Sequence, residues 1–150
     1  MLGASIEQAL GLSSQLPRSI EHGVGFAMCN WLNDYIAGLH AVMTSAETEV
    51  VIRAALLENT ARYAHSSLQG LLQHGSGDFR PAVRFIKDFV GDQVEVVTSH
   101  ALNVAIWGND RALEKERHAI AEARNGLNML CQIDPGWARK QEEILEKHAH

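Results

Sequence analysis

Along most of the chain, hydrophobic residues recur every three or four positions with polar residues between them, which is the spacing of an amphipathic helix. Glycine and proline lie between these periodic stretches, and no proline interrupts one. The pattern predicts four long core helices, at about residues 24–43, 45–73, 79–107 and 110–133. It also predicts a short helix near residues 5–12 and a C-terminal helix from Pro135 to about Lys147.

The second predicted helix has the most regular pattern. Its hydrophobic positions alternate steps of four and three, as in a coiled coil, and they are Val50, Ala54, Leu57, Ala61, Ala64, Leu68 and Leu71. Thr44 and Glu47 have the spacing of a capping box, in which a hydroxyl and a carboxylate bond the free amides at a helix start. Gly75 and Gly77 predict where the helix ends.

The third predicted helix contains a stretch whose composition is ambiguous. Val94 to Thr98 is rich in β-branched residues, which favour strands. Gly91 weakens a helix at this point by about 1 kcal/mol. The helical spacing of hydrophobic residues continues on both sides of the stretch, so we predict one helix over residues 79–107.

Long helices with short connections between them predict an all-α fold with antiparallel neighbours. We expect an up-down-up-down four-helix bundle, with the short N- and C-terminal helices packed across its ends. A chain of 150 residues has the length of one ordinary domain, so a single domain over residues 1–150 is expected.

Charge and composition exclude several classes of partner. The formal net charge is −5 and the basic residues are scattered, whereas nucleic-acid binding needs a concentrated cationic face. The longest apolar runs are far shorter than the ~20 residues that a bilayer requires. Cys29 and Cys131 fit no CxxC pattern, which favours a cytoplasmic protein with two free thiols, with a single Cys29–Cys131 bridge as the alternative.

Each long predicted helix carries an internal histidine, which raises the question of a metal or haem site inside a bundle. The candidate ligands are His40, Glu58, His65, His100 and His118. Carboxylate-bridged di-metal bundles use Glu-x-x-His, and this motif does not occur in the sequence. Helical-wheel positions place His40 and His65 on the flanks of their helices and His118 on a side that faces water. The candidate ligands do not share a common direction, so we predict no metal and no other cofactor.

Two predicted helices carry a second apolar stripe, outside the one that a simple bundle needs. These stripes define the predicted partner-contacting residues, which are Ile52, Leu56, Tyr63, Phe85, Phe89, Val96, His100 and Trp107. A homodimer or a different protein partner would cover them, because aromatic-rich surface patches mark interfaces. The chain's own termini are the other possible cover, through Leu10, Leu12, Trp137, Ile144 and Leu145.

No nucleophile elbow or phosphate-binding loop occurs in the sequence, and we predict no catalytic residues. The sequence therefore favours a non-enzymatic interaction or regulatory protein that works as a homodimer or by binding another protein. The alternative is a metal- or haem-binding bundle with oxidoreductase activity. A third possibility is a small-molecule sensor with a pocket between helices, for which the sequence offers no orienting polar cluster.

Overall fold

The computed structural model of the chain describes residues 18–44 and 47–148. Across these residues the fold is all-α, with six helices and no strand, which confirms the predicted fold class. The helices are α1 (Arg18–Met43), α2 (Thr48–His74), α3 (Arg80–Thr98), α4 (His100–Trp107), α5 (Asn109–Leu130) and α6 (Pro135–His148). The predicted helix near residues 5–12 lies outside the described residues.

The chain forms two compact units, which divide in sequence between Phe85 and Ile86. The first unit contains α1, α2 and the start of α3. The second contains the rest of α3 together with α4, α5 and α6. The single domain over residues 1–150 stays a prediction.

In the first unit, α1 packs against α2. The approach is close at Gly25 of α1, where an added Cβ would lie 2.8 Å from Leu72 Cδ2 and 3.3 Å from the ring of Phe79. The buried side chains of the two helices include Met28, Leu32, Ile36 and Leu39 of α1 and Ala54, Ala61, Ala64, Leu68 and Leu71 of α2. Small alanine side chains on α2 leave room for the larger side chains of α1.

The start of α2 differs from the prediction of a capping box. Helix α2 begins at Thr48, and Glu47 precedes it as an N-cap residue with no side-chain capping hydrogen bond. The hydroxyl of Thr44 instead donates to the carbonyl of Ala41, 2.8 Å away, and so satisfies the last turn of α1. The end of α2 is as predicted, because Gly75 has a left-handed φ of 70° and its N–H donates to the carbonyl of Leu71.

The loop before α3 is held by side-chain hydrogen bonds around Asp78. The Ser67 hydroxyl donates to the Asp78 carbonyl at 2.9 Å and accepts from the Asp78 N–H at 3.0 Å. Asp78 Oδ1 in turn accepts from the backbone N–H of Arg80 at 2.9 Å, which satisfies one of the free amides at the start of α3.

In the second unit, α5 packs against both α4 and α6. Gly126 of α5 also lies close to α3, because an added Cβ would come within 2.5 Å of Val90 Cγ2 and 3.4 Å of Ile86 Cγ2. The buried side of α5 consists of Ala112, Glu116, Ala119, Ala123, Gly126, Leu127 and Leu130. Small residues dominate this side, so neighbouring helices can approach α5 closely.

The helix predicted over residues 79–107 is divided in the structure into α3 and α4. The break is at Ser99, whose φ of −94° and ψ of 34° are not helical. Next to it, the Thr98 hydroxyl donates to the Glu95 carbonyl at 3.1 Å, a bond of the kind that bends helices. The Asn103 side-chain amide donates to the Val96 carbonyl at 2.7 Å and so bridges the break. Val94 to Thr98 is helical, as predicted.

Candidate functional site

Three of the predicted partner-contacting residues form an exposed apolar face on α2. Ile52, Leu56 and Tyr63 are 56%, 64% and 67% exposed. Their spacing of four and seven residues places them along one side of the helix. We call these three residues the α2 face. Large apolar side chains that share an exposed side are a feature of contact surfaces.

Phe85 lies in the interior of the first unit, so it is not on an exposed stripe as the sequence suggested. It is only 6% exposed. Its ring makes edge contacts with Trp31 and Tyr35, with centroid distances of 6.2 and 5.3 Å. The predicted contact residues Phe89 and Val96 are half-buried. The second stripe of the third predicted helix is therefore partly core.

Helix α4 is the only helix of the second unit with no buried residue in the part of the chain that the structure describes. Leu102 and Ile106 are 60% and 59% exposed. The residues directly before them, Ala101 and Ala105, are also exposed. We call these four residues the α4 patch. The patch is uncharged, and its two alanines leave room for another surface to approach.

A groove of about 770 Å³ opens in the second unit. Its lining combines an aromatic ring, apolar side chains, two amides and several charged groups. The lining residues are Gln93, Val96, Asn103, Trp107, Arg111, Glu114, Lys115, His118 and Ala119. The volume is within the range of about 300–1,000 Å³ that is typical of small-molecule sites.

The wall of this groove depends on the turn between α4 and α5. Gly108 ends α4 and precedes α5 with a φ of 82° and a ψ of 163°, a conformation that is essentially restricted to glycine. The turn brings the ring of Trp107 next to the first turns of α5. Lys115 Nζ lies 4.1 Å from the centroid of the Trp107 ring, and Arg111 Cζ lies 6.0 Å from it. Both distances are typical of cation–π contacts.

A polar cluster around Glu116 lies between α4 and α5. Glu116 is 8% exposed, and its Oε1 and Oε2 lie 2.7 and 3.0 Å from His100 Nδ1. The amide of Asn103 lies 3.5 Å from Glu116 Oε1. Sequence reasoning missed Glu116, although its position three residues after Leu113 and four before Ile120 puts it on the hydrophobic side of its helix.

Two of the candidate metal ligands, His40 and Glu58, are brought together in the first unit. His40 Nε2 lies 2.9 Å from Glu58 Oε1. Arg62 contacts both of these side chains. Its Nε donates to Glu58 Oε1 at 2.6 Å, and its Nη2 lies 2.6 Å from His40 Nε2. A guanidinium cation at this position repels a second cation, so the arrangement favours an ion-paired cluster over a metal site.

His65 pairs with a thiol. Its Nε2 lies 3.3 Å from Cys29 Sγ, a contact between α2 and α1. Burial raises the pKa of the Cys29 thiol above its ordinary value. A raised pKa favours the protonated thiol over the thiolate. Cys29 and Cys131 are both free.

The remaining candidates, His100 and His118, lie in the second unit and pair with other acids. His118 Nε2 is 3.9 Å from Glu122 Oε1, one helical turn along α5. Within residues 18–44 and 47–148, no three His, Cys, Asp or Glu side chains are grouped as a metal site requires. Of the five candidates, His40 and Glu58 contact each other, whereas His65, His100 and His118 each pair with a different group.

Comparisons with protein-family models, with curated proteins and with solved structures find no match for this chain. None of the described helices is long and apolar enough to cross a membrane. The candidate binding surfaces of the described residues are the α2 face, the α4 patch and the groove beside Trp107.

Proposed function

We propose that this protein is a non-enzymatic interaction protein, and that it associates with a second copy of itself through the α4 patch. The observation that supports this role is the exposure of four uncharged residues along one side of α4. Leaving Leu102 and Ile106 in water forfeits roughly 25 cal/mol for each Å² that a partner would cover. A second apolar surface against the α4 patch recovers that free energy.

The charge of the chain limits where a second copy can dock. Two copies each carry a formal net charge of −5, so most contacts between them bring like charges together. Ala101, Leu102, Ala105 and Ile106 carry no charge, and two such patches can meet without this repulsion. A two-fold axis through the patch would make each copy bury the same residues.

The size of the patch limits the strength of such a dimer. The eight residues of α4 extend about 12 Å. A patch of this length is smaller than a standard interface, which buries about 800 Å² per partner. We therefore expect a reversible dimer with a dissociation constant on the order of micromolar.

Sedimentation equilibrium of the full chain over a wide concentration range tests the proposal. The wild type should show a reversible monomer–dimer equilibrium. Ile106→Asp would put a carboxylate into the contact and should weaken association on the order of a hundredfold, with the melting temperature little changed. Leu56→Asp introduces the same charge on the α2 face and serves as the matched control.

Two results would contradict this assignment. A wild-type chain that remains monomeric at every concentration removes the second copy as the occupant. A dimer that withstands Ile106→Asp but dissociates with Leu56→Asp moves the contact to the α2 face.

The proposal includes two finer expectations. One is that the long helices pack as an up-down-up-down four-helix bundle, which an experimentally determined structure tests. The other is that the protein works in the cytoplasm. The two free thiols of Cys29 and Cys131 support the second expectation, because reducing compartments keep cysteines in this form.

A further inference from the structure

We infer that the groove beside Trp107 binds a small organic carboxylate with an aromatic body. This inference is separate from self-association, because the groove and the α4 patch lie on different sides of α4. At about 100° per residue, Asn103 and Trp107 point roughly 150° away from the centre of the patch. A ligand and a second copy can therefore bind at the same time.

The charge of the groove points to an anion. Arg111 and Lys115 line it, whereas Glu114 is the only carboxylate in the lining. Among the described residues, neither Arg111 nor Lys115 forms an ion pair with a carboxylate. Two cations without acidic partners on a chain with a net charge of −5 are complementary to a negatively charged ligand.

The apolar part of the lining points to an aromatic body. The ring of Trp107 forms one wall, and Val96 and Ala119 contribute apolar surface beside it. Lys115 Nζ lies 4.1 Å from the indole centroid and covers one face of the ring, so a ligand ring would pack against the rest of the indole surface with its carboxylate near Lys115 Nζ.

Two amides line the groove, Gln93 and Asn103. The Asn103 side-chain nitrogen donates to the Val96 carbonyl at 2.7 Å and lies 3.5 Å from Glu116 Oε1, so its two N–H groups are directed away from a ligand and the side chain acts as a fixed wall. Gln93 is the amide of the lining whose N–H groups can donate to a carboxylate.

The presence of Glu114 favours a carboxylate over a phosphate ester. Glu114 offsets part of the positive charge of Arg111 and Lys115. A phosphate monoester carries nearly two negative charges at neutral pH and would be repelled more strongly by this side chain. A single carboxylate matches the remaining charge more closely.

Titration of the full chain with 2-naphthoate, followed by NMR of the three tryptophan indole N–H groups, tests the inference. The Trp107→Phe variant assigns the Trp107 signal. We expect 2-naphthoate to shift the signal of Trp107 in a saturable way and to leave those of Trp31 and Trp137 in place. Naphthalene-2-carboxamide, the neutral analogue, and inorganic phosphate, which lacks the ring, should both bind much more weakly.

Variants on α5 test the role of the cations. Lys115→Gln and Arg111→Gln should each weaken 2-naphthoate binding by about fivefold, while Lys115→Arg should retain it. Arg117→Gln is the matched control, because Arg117 is exposed on the same helix and outside the lining. Unchanged positions of the other signals in each spectrum show that the variant is folded.

Three results would overturn the inference. The first is that 2-naphthoate causes no saturable shift of the Trp107 signal. The second is that the neutral carboxamide binds as well as the carboxylate, which would mean that the cations do not select the ligand. The third is that Arg117→Gln weakens binding as much as Lys115→Gln, which would indicate a general charge effect.

Discussion

Lys87 Nζ lies 2.8 Å from Oδ2 of Asp134, and this ion pair joins α3 to the start of α6 within the second unit. Asp134 is also the N-cap of α6, because its Oδ1 accepts from the Trp137 N–H at 3.3 Å and its carbonyl accepts from Ala138 N–H. The same ammonium group lies 5.3 Å from the centroid of the Trp137 ring. One carboxylate thus serves both an ion pair and a helix cap.

This arrangement predicts a loss of stability in acid. Burial by itself raises the pKa of Asp134, but the hydrogen bonds from Lys87 and the Trp137 N–H, with the charge of Lys87, outweigh it and lower the pKa. The stabilisation is therefore complete above the unfolded pKa of about 3.9 and is lost as the pH falls through the lower folded value. Asp134→Ala should cost about 1–2 kcal/mol at neutral pH. Urea unfolding at neutral and acidic pH checks this, and a cost that persists at pH values below the folded pKa would contradict it.

The contact between α3 and α5 at Gly126 predicts opposite effects for two glycine substitutions. Gly126→Ala places a methyl group 2.5 Å from Val90 Cγ2 and should cost about 1–3 kcal/mol through overpacking. Gly91→Ala is the control, because nothing lies within 4 Å of its added Cβ. It should stabilise α3 by up to ~1 kcal/mol. Urea unfolding of both variants measures the difference, and equal effects would contradict the close packing at Gly126.

The turn at Gly108 predicts a linked loss of stability and ligand binding. Gly108→Ala forces an L side chain into a conformation with a φ of 82° and should cost about 1–3 kcal/mol. The strain is expected to move Trp107 away from Lys115 and to weaken 2-naphthoate binding. Gly38→Ala, in open space on α1, is the control and should leave binding unchanged. Thermal unfolding and the naphthoate titration measure the two effects. A Gly108→Ala variant with the stability and the 2-naphthoate affinity of the wild type would contradict this account of the turn.

The different burial of Phe85 and Leu56 predicts different costs of truncation. Phe85→Ala removes a buried ring from its contacts with Trp31 and Tyr35, and it should cost about 3–5 kcal/mol. Leu56→Ala removes a side chain that is 64% exposed and should cost about 0.5 kcal/mol or less. Chemical denaturation of the two variants gives these values, and similar costs would place both residues in the same environment.

Periodicity predicts elements well in this chain, because each described helix except α4 has a side with buried residues. Val94 to Thr98 shows this, since its β-branched residues are helical where the three–four spacing continues on both sides. The break at Ser99 was not predictable from spacing, because the pattern runs through it. The break depends on hydrogen bonds from the side chains of Thr98 and Asn103 to backbone carbonyl groups. Such hydrogen bonds do not change the spacing of hydrophobic residues in the sequence.

Spacing also identifies exposed faces only in part. On the two predicted second stripes, Ile52 and Leu56 are exposed, whereas Phe85 is core, because Trp31 and Tyr35 of α1 pack against it. On α5, the buried side contains small residues such as Ala119, whereas the larger Leu113 is exposed. Small side chains on the buried side allow neighbouring helices to pack closely, and hydrophobic spacing does not show this. The groove was not foreseen, since it requires the Gly108 turn to bring Trp107 onto α5.

Isotope-filtered NMR on a mixture of labelled and unlabelled chains tests the central claim most directly. The measurement detects only contacts between two copies. We predict intermolecular cross-peaks between the methyl groups of Leu102 and Ile106 of one copy and α4 protons of the other. Cross-peaks that involve only the α2 face residues Ile52, Leu56 and Tyr63, or no intermolecular cross-peaks at concentrations well above micromolar, would contradict the assignment of the α4 patch as the site of self-association.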